Sequence, residues 1–342
     1  MKENIVQVPQ TISQESTQQY LWIDLAKILS IFGVIYIHSN GFLSTYFRFG
    51  VPLFISISFF LSERSFIKRE IKVSKFLRKR ILRLAIPFFF WSFFYFFISQ
   101  PSYHGSLPKI VTKYWTGFGW SGQYYLIILI FLNLLYPWLR KVRVTLTSLL
   151  FIAFFTIIFL YIPFNYLKLS SLVTRLNVVP VFYWIFYLYL GIYSARNYED
   201  IQTSLTVVKP AYKLVFLLTI PFLISIENAA AIDIGFARES YFRVSTILVS
   251  AVVFFLFLSL EDNLKNKLNA SGHILSWLSS WTLGIYCLNP FFIDLLRGRL
   301  LNSDNSTANE LLLSMLNCSL IYAFCLICSY LIFRVKGGIL VR

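Results

Sequence analysis

The segment Leu21-Trp22-Ile23-Asp24-Leu25-Ala26-Lys27-Ile28-Leu29-Ser30-Ile31-Phe32-Gly33-Val34-Ile35-Tyr36-Ile37-His38 decides how the chain is read. It opens an apolar run, Leu21–Phe42, long enough to cross hydrocarbon, which takes roughly 20 residues. Yet it carries three ionisable side chains, and removing such groups from water is costly enough that they mark function unless they are paired. Asp24 and Lys27 stand three apart, share a helix face and can pair. His38 follows Lys27 by eleven residues, close to three full turns, which puts it on the same side about 16 Å further along the axis. A cation near one leaflet and an imidazole near the other suit a site that spans the membrane. Histidine is also the side chain that takes a proton from a hydroxyl near neutral pH. The plainer reading, an orientation-setting Asp–Lys pair plus one buried histidine on a backbone carbonyl, stays open beside it.

The rest of the 342 residues has the same character. Apolar side chains make up 57% and charged ones 13%, with a mean hydropathy of +0.67. Soluble chains sit nearer about 45–50% and about 25%. No water-soluble fold of this size hides that much apolar surface, so the expected class is all-α and polytopic. Ten apolar runs are visible: Leu21–Phe42, Phe49–Ser62, Leu84–Ser99, Tyr124–Leu139, Val144–Pro163, Val178–Ser194, Leu214–Ile226, Val244–Leu260, Leu275–Leu296 and Leu311–Phe333. The second and seventh are short and must borrow from their flanks. This predicts a polar N-terminal tail over 1–20 without order, a transmembrane domain over 21–333 and a short tail over 334–342. The tail before Leu21 lacks the basic start and cleavable apolar core of a signal peptide.

Positive charge sets the orientation. With the N-terminus in the cytoplasm and the runs alternating, 22 of the 31 Lys and Arg residues fall inside and 9 outside. Both termini are therefore expected in the cytoplasm. The net charge of +16 is an orientation signal in a cell membrane, and nucleic acid is not expected as a partner. The densest block, Glu63–Arg83, is read as a loop holding nine cations, Arg78, Arg80 and Arg83 among them. Positive-inside charge attracted to anionic lipid explains it; so does a mouth that binds phosphates, with Arg80 and Arg83 three apart ahead of Pro87.

Other signals are weaker. Cys287, Cys318, Cys325 and Cys328 lie in late apolar runs and read as packing residues, with no zinc spacing and no metal expected. His104 and His273 read as loop residues. The sequons at Asn269 and Asn305 are short enough to occur by chance. No Walker loop, GxGxxG or GxSxG is present, against an ATP-driven pump and an elbow-type hydrolase.

Several motifs, taken in order, resemble the membrane-bound acyltransferase 3 family. They are Asp24-Leu-Ala-Lys27 with His38 on the first run, Val51-Pro52-Leu53-Phe54 to Ser58, and Phe76-Leu-Arg78-Lys79-Arg80-Ile-Leu-Arg83 to Pro87. Tyr124-Tyr125-Leu126 to Tyr136-Pro137-Trp138-Leu139-Arg140 and Leu283-Gly284-Ile285-Tyr286 to Asn289-Pro290 follow. Lys27 stands where the family usually has Arg, Phe59 where it has Gly, Tyr124 near a common Trp and Asn289 in place of a frequent His. The resemblance implies transfer of an acyl group, usually acetyl, from cytoplasmic acyl-CoA to a hydroxyl of an exopolysaccharide, O-antigen or lipid-linked glycan. It implies His38, Lys27 and Asp24 as the catalytic set and Arg78, Arg80 and Arg83 as holders of the CoA phosphates. Tyr124, Tyr125 and Asn289 would then face the acceptor. Whether His38 is a general base or carries the acyl group stays open, as does a flippase of lipid-linked sugars, which has no special need for a base at that depth.

The topology is checked by reporter fusion. A green fluorescent protein joined after Arg342 is expected to fluoresce and alkaline phosphatase at the same point to be inactive; the reverse pattern overturns the orientation.

Overall fold

The computed structural model describes residues 20–99, 107–115, 117–162, 181–234, 241–268, 271–296 and 307–342. The tail before Tyr20, His104, Asn269 and Asn305 lie outside them. Among the described residues the regular structure is helical, as lipid requires when every backbone N–H and C=O must be satisfied within its own segment. The main helices are α1 (Leu21–His38), α2 (Gly50–Lys68), α3 (Val73–Ser99), α4 (Leu107–Trp115), α5 (Gln123–Leu139) and α6 (Leu146–Phe155). They continue as α7 (Ile185–Arg196), α8 (Tyr198–Val207), α9 (Pro210–Ile234), α10 (Val244–Leu258) and α11 (Glu261–Lys267). The last four are α12 (Gly272–Ser279), α13 (Thr282–Leu296), α14 (Thr307–Arg334) and α15 (Gly338–Val341).

Among the described residues, six helical stretches are long and apolar enough to cross a membrane, and Gln123–Leu139, Leu146–Tyr161 and Thr282–Leu296 are shorter apolar helices. The protein is thus a multi-pass all-α membrane protein, with six spans carried by helix length alone. Three details differ from the sequence reading. Helix α1 stops at His38 and not at Phe42, because Asn40 turns left-handed at φ 55°. The Gly41 N–H then bonds the Tyr36 carbonyl at 3.0 Å and the Asn40 N–H that of Ile37 at 3.2 Å, a helix-ending double bond that leaves His38 in the final turn. Second, the cationic block is mostly helix: Arg64 and Lys68 end α2, Lys75 to Arg83 begin α3, and only Arg69–Lys72 connect them. Third, the ninth run is broken at Ser280-Trp281 into α12 and α13.

Helices α2 and α7 cross at backbone distance. A Cβ built on Gly191 would stand 2.3 Å from the Ser56 carbonyl oxygen and 2.8 Å from the Phe60 nitrogen, so only glycine fits there. One end of the same pair is locked by charge. The Glu63 carboxylate, 2% exposed, accepts from Tyr136 Oη at 2.5 Å, Arg140 Nε at 3.1 Å and Arg196 Nε at 3.0 Å. This joins α2, α5 and α7. Beside it Arg64 forks onto Glu199, with Nη2 to Oε1 at 2.8 Å, and also donates to Tyr20 Oη at 3.1 Å. The guanidinium holds the Glu199 carboxyl below its usual range.

The first and last described residues meet at one end of the bundle. The Trp22 N–H bonds Glu261 at 2.9 Å, and Asp24 accepts from Ser276 and from Ser279 at 2.5 Å. Arg342 Nε reaches Ser280 at 3.1 Å, and α15 docks through the Leu340 carbonyl on Trp91 Nε1 at 3.2 Å. Residues expected as a tail are therefore packed, with Val341 fully buried.

Replacing Glu63 by Gln leaves two arginines facing a neutral amide. Since both guanidiniums are partly solvated, the expected loss is on the order of 2 kcal/mol. It would be read as a lower melting temperature in detergent, and an unchanged one would mean that water already holds the arginines.

Candidate active site

A cavity of about 140 Å³ lies between α2, α3, α5 and α13. Phe54 and Ser58 of α2 form one side, and Tyr125, Leu126 and Leu129 of α5 another. Thr282, Leu283 and Tyr286 of α13 face Arg80, Arg83 and Leu84 of α3. Helical period explains which cations are present. Arg80 and Arg83 are three apart and share a face, whereas Arg78 stands about 200° around the axis from Arg80 and is exposed away from the cavity. Pro87, one turn on, removes the N–H that would bond the Arg83 carbonyl. Of the three arginines singled out in the sequence, the structure brings two together at the cavity.

Lys27 belongs to the same end: the charges of Asp24, Arg83 and Arg80 all act on it. The Asp24 carboxylate accepts from the Ser276 and Ser279 hydroxyls, which fastens the start of α1 to α12. The cavity thus has a cationic end of Arg80 and Arg83, with Lys27 and Asp24 of α1 close enough to feel their charge but outside its lining.

The other end is aromatic. The Tyr125 ring packs on Tyr286 at 5.0 Å and on Phe54 at 6.2 Å. From this wall a short path leads to the imidazole. Tyr286 Oη donates to the Gly122 carbonyl at 2.5 Å, and the neighbouring Ser121 Oγ lies 2.9 Å from His38 Nδ1. The loop that carries Ser121 is fixed from both sides. Gly117 and Gly122 take φ of 91° and 89°, a region L side chains avoid. The buried Gln123 amide donates to Ser92 Oγ at 2.6 Å and the Tyr114 carbonyl at 2.8 Å, and accepts from the Gly119 N–H at 2.7 Å. His38 itself does not line the cavity, and Arg48 is the charged side chain that acts on it.

Tyr124 and Asn289 lie off the cavity. Tyr124 joins an aromatic group with Trp184 and Tyr241, each at 6.3 Å. Asn289 is 1% exposed and serves the backbone: Pro290 has no N–H for the Tyr286 carbonyl, and Asn289 Nδ2 supplies one at 2.6 Å. Tyr95 completes the repair, donating to the Cys287 carbonyl at 2.7 Å and accepting from the Phe291 N–H at 3.1 Å. His273, expected in a loop, is an exposed residue of α12. Cys287, Cys318 and Cys325 are buried.

Sequence reasoning did not single out Glu63, Tyr286 or Ser121 as site-forming residues. Tyr286 stood four residues ahead of Pro290, the spacing at which a proline frees a carbonyl, and that signal was available. Ser121 is 83 residues from His38, and nothing local marks it.

A family model described as an acyltransferase domain matches residues 20–334. No curated protein and no solved structure matches the chain.

The split among the arginines is testable with inorganic pyrophosphate. It is expected to raise the melting temperature of the purified wild type and of Arg78→Gln, with most of the shift lost in Arg80→Gln and in Arg83→Gln. Equal loss in all three would assign anion binding to general surface charge.

Proposed function

The chain belongs to the acyltransferase 3 family, and on that footing we propose that it moves an acyl group, acetyl in the first instance, from acyl-CoA to a sugar hydroxyl of a cell-surface or lipid-linked glycan. The observation that carries this reading is the two-ended site. Two arginines line a cavity, with Lys27 of α1 within reach of their charge, and an imidazole is linked to its aromatic wall through the Tyr286–Gly122 and Ser121–His38 hydrogen bonds. A donor whose phosphates and acyl carbonyl are separated by a long, thin arm suits ends about 16 Å apart.

In this scheme Arg80, Arg83 and Lys27 hold the phosphates, the arginines as forked donors and the lysine as a point charge. Lys27 then cannot also stabilise the oxyanion, since that task needs a donor within about 3 Å of the reacting carbonyl. Asp24 acts through Lys27 and through its serine bonds to α12. Tyr125 and Tyr286 flank the apolar arm. At the far end His38 takes the proton of the acceptor hydroxyl, whose oxygen attacks the thioester carbon. The C–S bond breaks and the proton passes to the thiolate, leaving an ester and free CoA. With the cationic end in the cytoplasm, as the positive-inside charge implies, donor and acceptor enter from opposite faces of the cell membrane. Tyr124, in the aromatic group with Trp184 and Tyr241, offers a sugar-stacking surface at the acceptor end.

Proton NMR of the purified surface glycan tests this. A deletion strain is complemented with wild type, His38→Ala or an empty vector, with expression verified by blot. Acyl resonances are expected with wild type alone. Full recovery with His38→Ala removes the histidine from the chemistry, and altered glycan export with unchanged acylation favours a flippase.

A further inference from the structure

The imidazole of His38 has two nitrogens, and only one can be the base. A neutral ring that presents a lone pair at Nε2 must carry its proton at Nδ1, and the choice is set by what Nδ1 meets. Here Nδ1 meets Ser121 Oγ at 2.9 Å. A serine hydroxyl accepts as well as donates, so its own mobility would leave the tautomer undecided. Its backbone, however, is tied down at both neighbours. Ser121 sits between Trp120, whose carbonyl accepts from the Gln123 N–H at 3.1 Å, and Gly122, whose carbonyl accepts from Tyr286 Oη at 2.5 Å. A Cβ on Gly122 would stand 2.6 Å from that same Tyr286 oxygen, so the phenol and the loop are in direct contact.

We propose that Ser121 is a positioning residue for His38: held by Tyr286 through the Gly122 carbonyl, its oxygen accepts the Nδ1 proton and leaves Nε2 as the base toward the acceptor hydroxyl. The inference rests on the reading of His38 as a general base. It also assigns Tyr286 a second task. The same side chain walls the cavity and holds the loop that orients the base, so the donor end and the proton-accepting end are mechanically joined. Arg48 is the charged group that acts on the imidazole, and its charge is kept in the variants below.

The test is steady-state kinetics of the full chain in detergent or nanodiscs with acetyl-CoA and a soluble acceptor glycoside. Ser121→Ala is expected to lower kcat about five- to tenfold, the worth of one net hydrogen bond, with the KM for acetyl-CoA unchanged. Ser121→Thr, which keeps the oxygen, should recover most of the rate. The acid limb of the rate profile should move to lower pH in Ser121→Ala, because an accepting oxygen favours the imidazolium over the neutral ring. Tyr286→Phe should reproduce the loss in kcat, and the double variant should lose no more than either single one, since both changes act through one bond. Wild-type kinetics and an unmoved pH profile in Ser121→Ala, alongside an inactive His38→Ala, overturn the role of Ser121 and leave the base in place. An active His38→Ala overturns both. Additive losses in the double variant overturn the link through Tyr286.

Discussion

The buried carboxylate of Glu63 is the interaction on which the site's walls depend. It stands in the last turns of α2, and its partners come from Tyr136 of α5, from Arg140 just past that helix's end and from Arg196 of α7. Helices α2 and α5 supply five of the residues around the cavity, so their mutual position is set at one end by these charges. Lower down, the contact of α2 with Gly191 fixes α2 against α7 by shape. A carboxylate taken out of water must find compensation nearby or it destabilises the bundle. Three donors on one carboxylate leave α2 little freedom to slide against α5. The electrostatic lock and the glycine crossing constrain the same helix at different heights, which is how a loose class of fold, apolar helices in lipid, acquires one arrangement.

Proline plays the complementary part. Pro290 would weaken α13 where Tyr286 has to be held, but the Asn289 amide and the Tyr95 hydroxyl take over the interrupted bonds. Tyr286 is thereby fixed at its carbonyl by Asn289 and at its hydroxyl by Gly122. Pro87 likewise interrupts the bonding of α3, at the Arg83 carbonyl. Irregular backbone sits where the cavity is, as expected of membrane helices that build sites.

Much of this was legible from the residues. Each of the ten apolar runs overlaps a helix, and the spacing of Asp24, Lys27 and His38 put a cation and an imidazole at separate heights of one helix. Arg80 and Arg83 could be assigned to one face by period alone, and the same arithmetic puts Arg78 about 200° around the axis from Arg80. What could not be read was pairing at a distance. Glu63 looked like a minor acid in a basic block, since its partners Tyr136, Arg140 and Arg196 are far off in sequence. Ser121 was one of many loop serines until the turn between two left-handed glycines brought it to His38. The end of α1 was misplaced by four residues because the stop comes from an asparagine in a left-handed turn, while the apolar pattern runs on to Phe42. The break at Ser280-Trp281 was hidden for the same reason: hydrophobic periodicity does not register a kink between two apolar pieces.

The lengths of the two helices that face each other across the cavity have a consequence for the surrounding lipid. Helix α5 has 17 residues and α13 has 15, or about 26 and about 23 Å of rise, while a typical hydrocarbon core is about 30 Å thick. Helices such as Val73–Ile98 and Asn309–Arg334, with 26 residues each, have length to spare. The cavity is therefore walled by unequal helices: where α5 and α13 meet lipid a full-thickness hydrocarbon layer would overhang them, whereas α3, on the same cavity, is long enough to span it. Bilayer thickness therefore bears unequally on the helices of one cavity, and it acts without touching any side chain of the site.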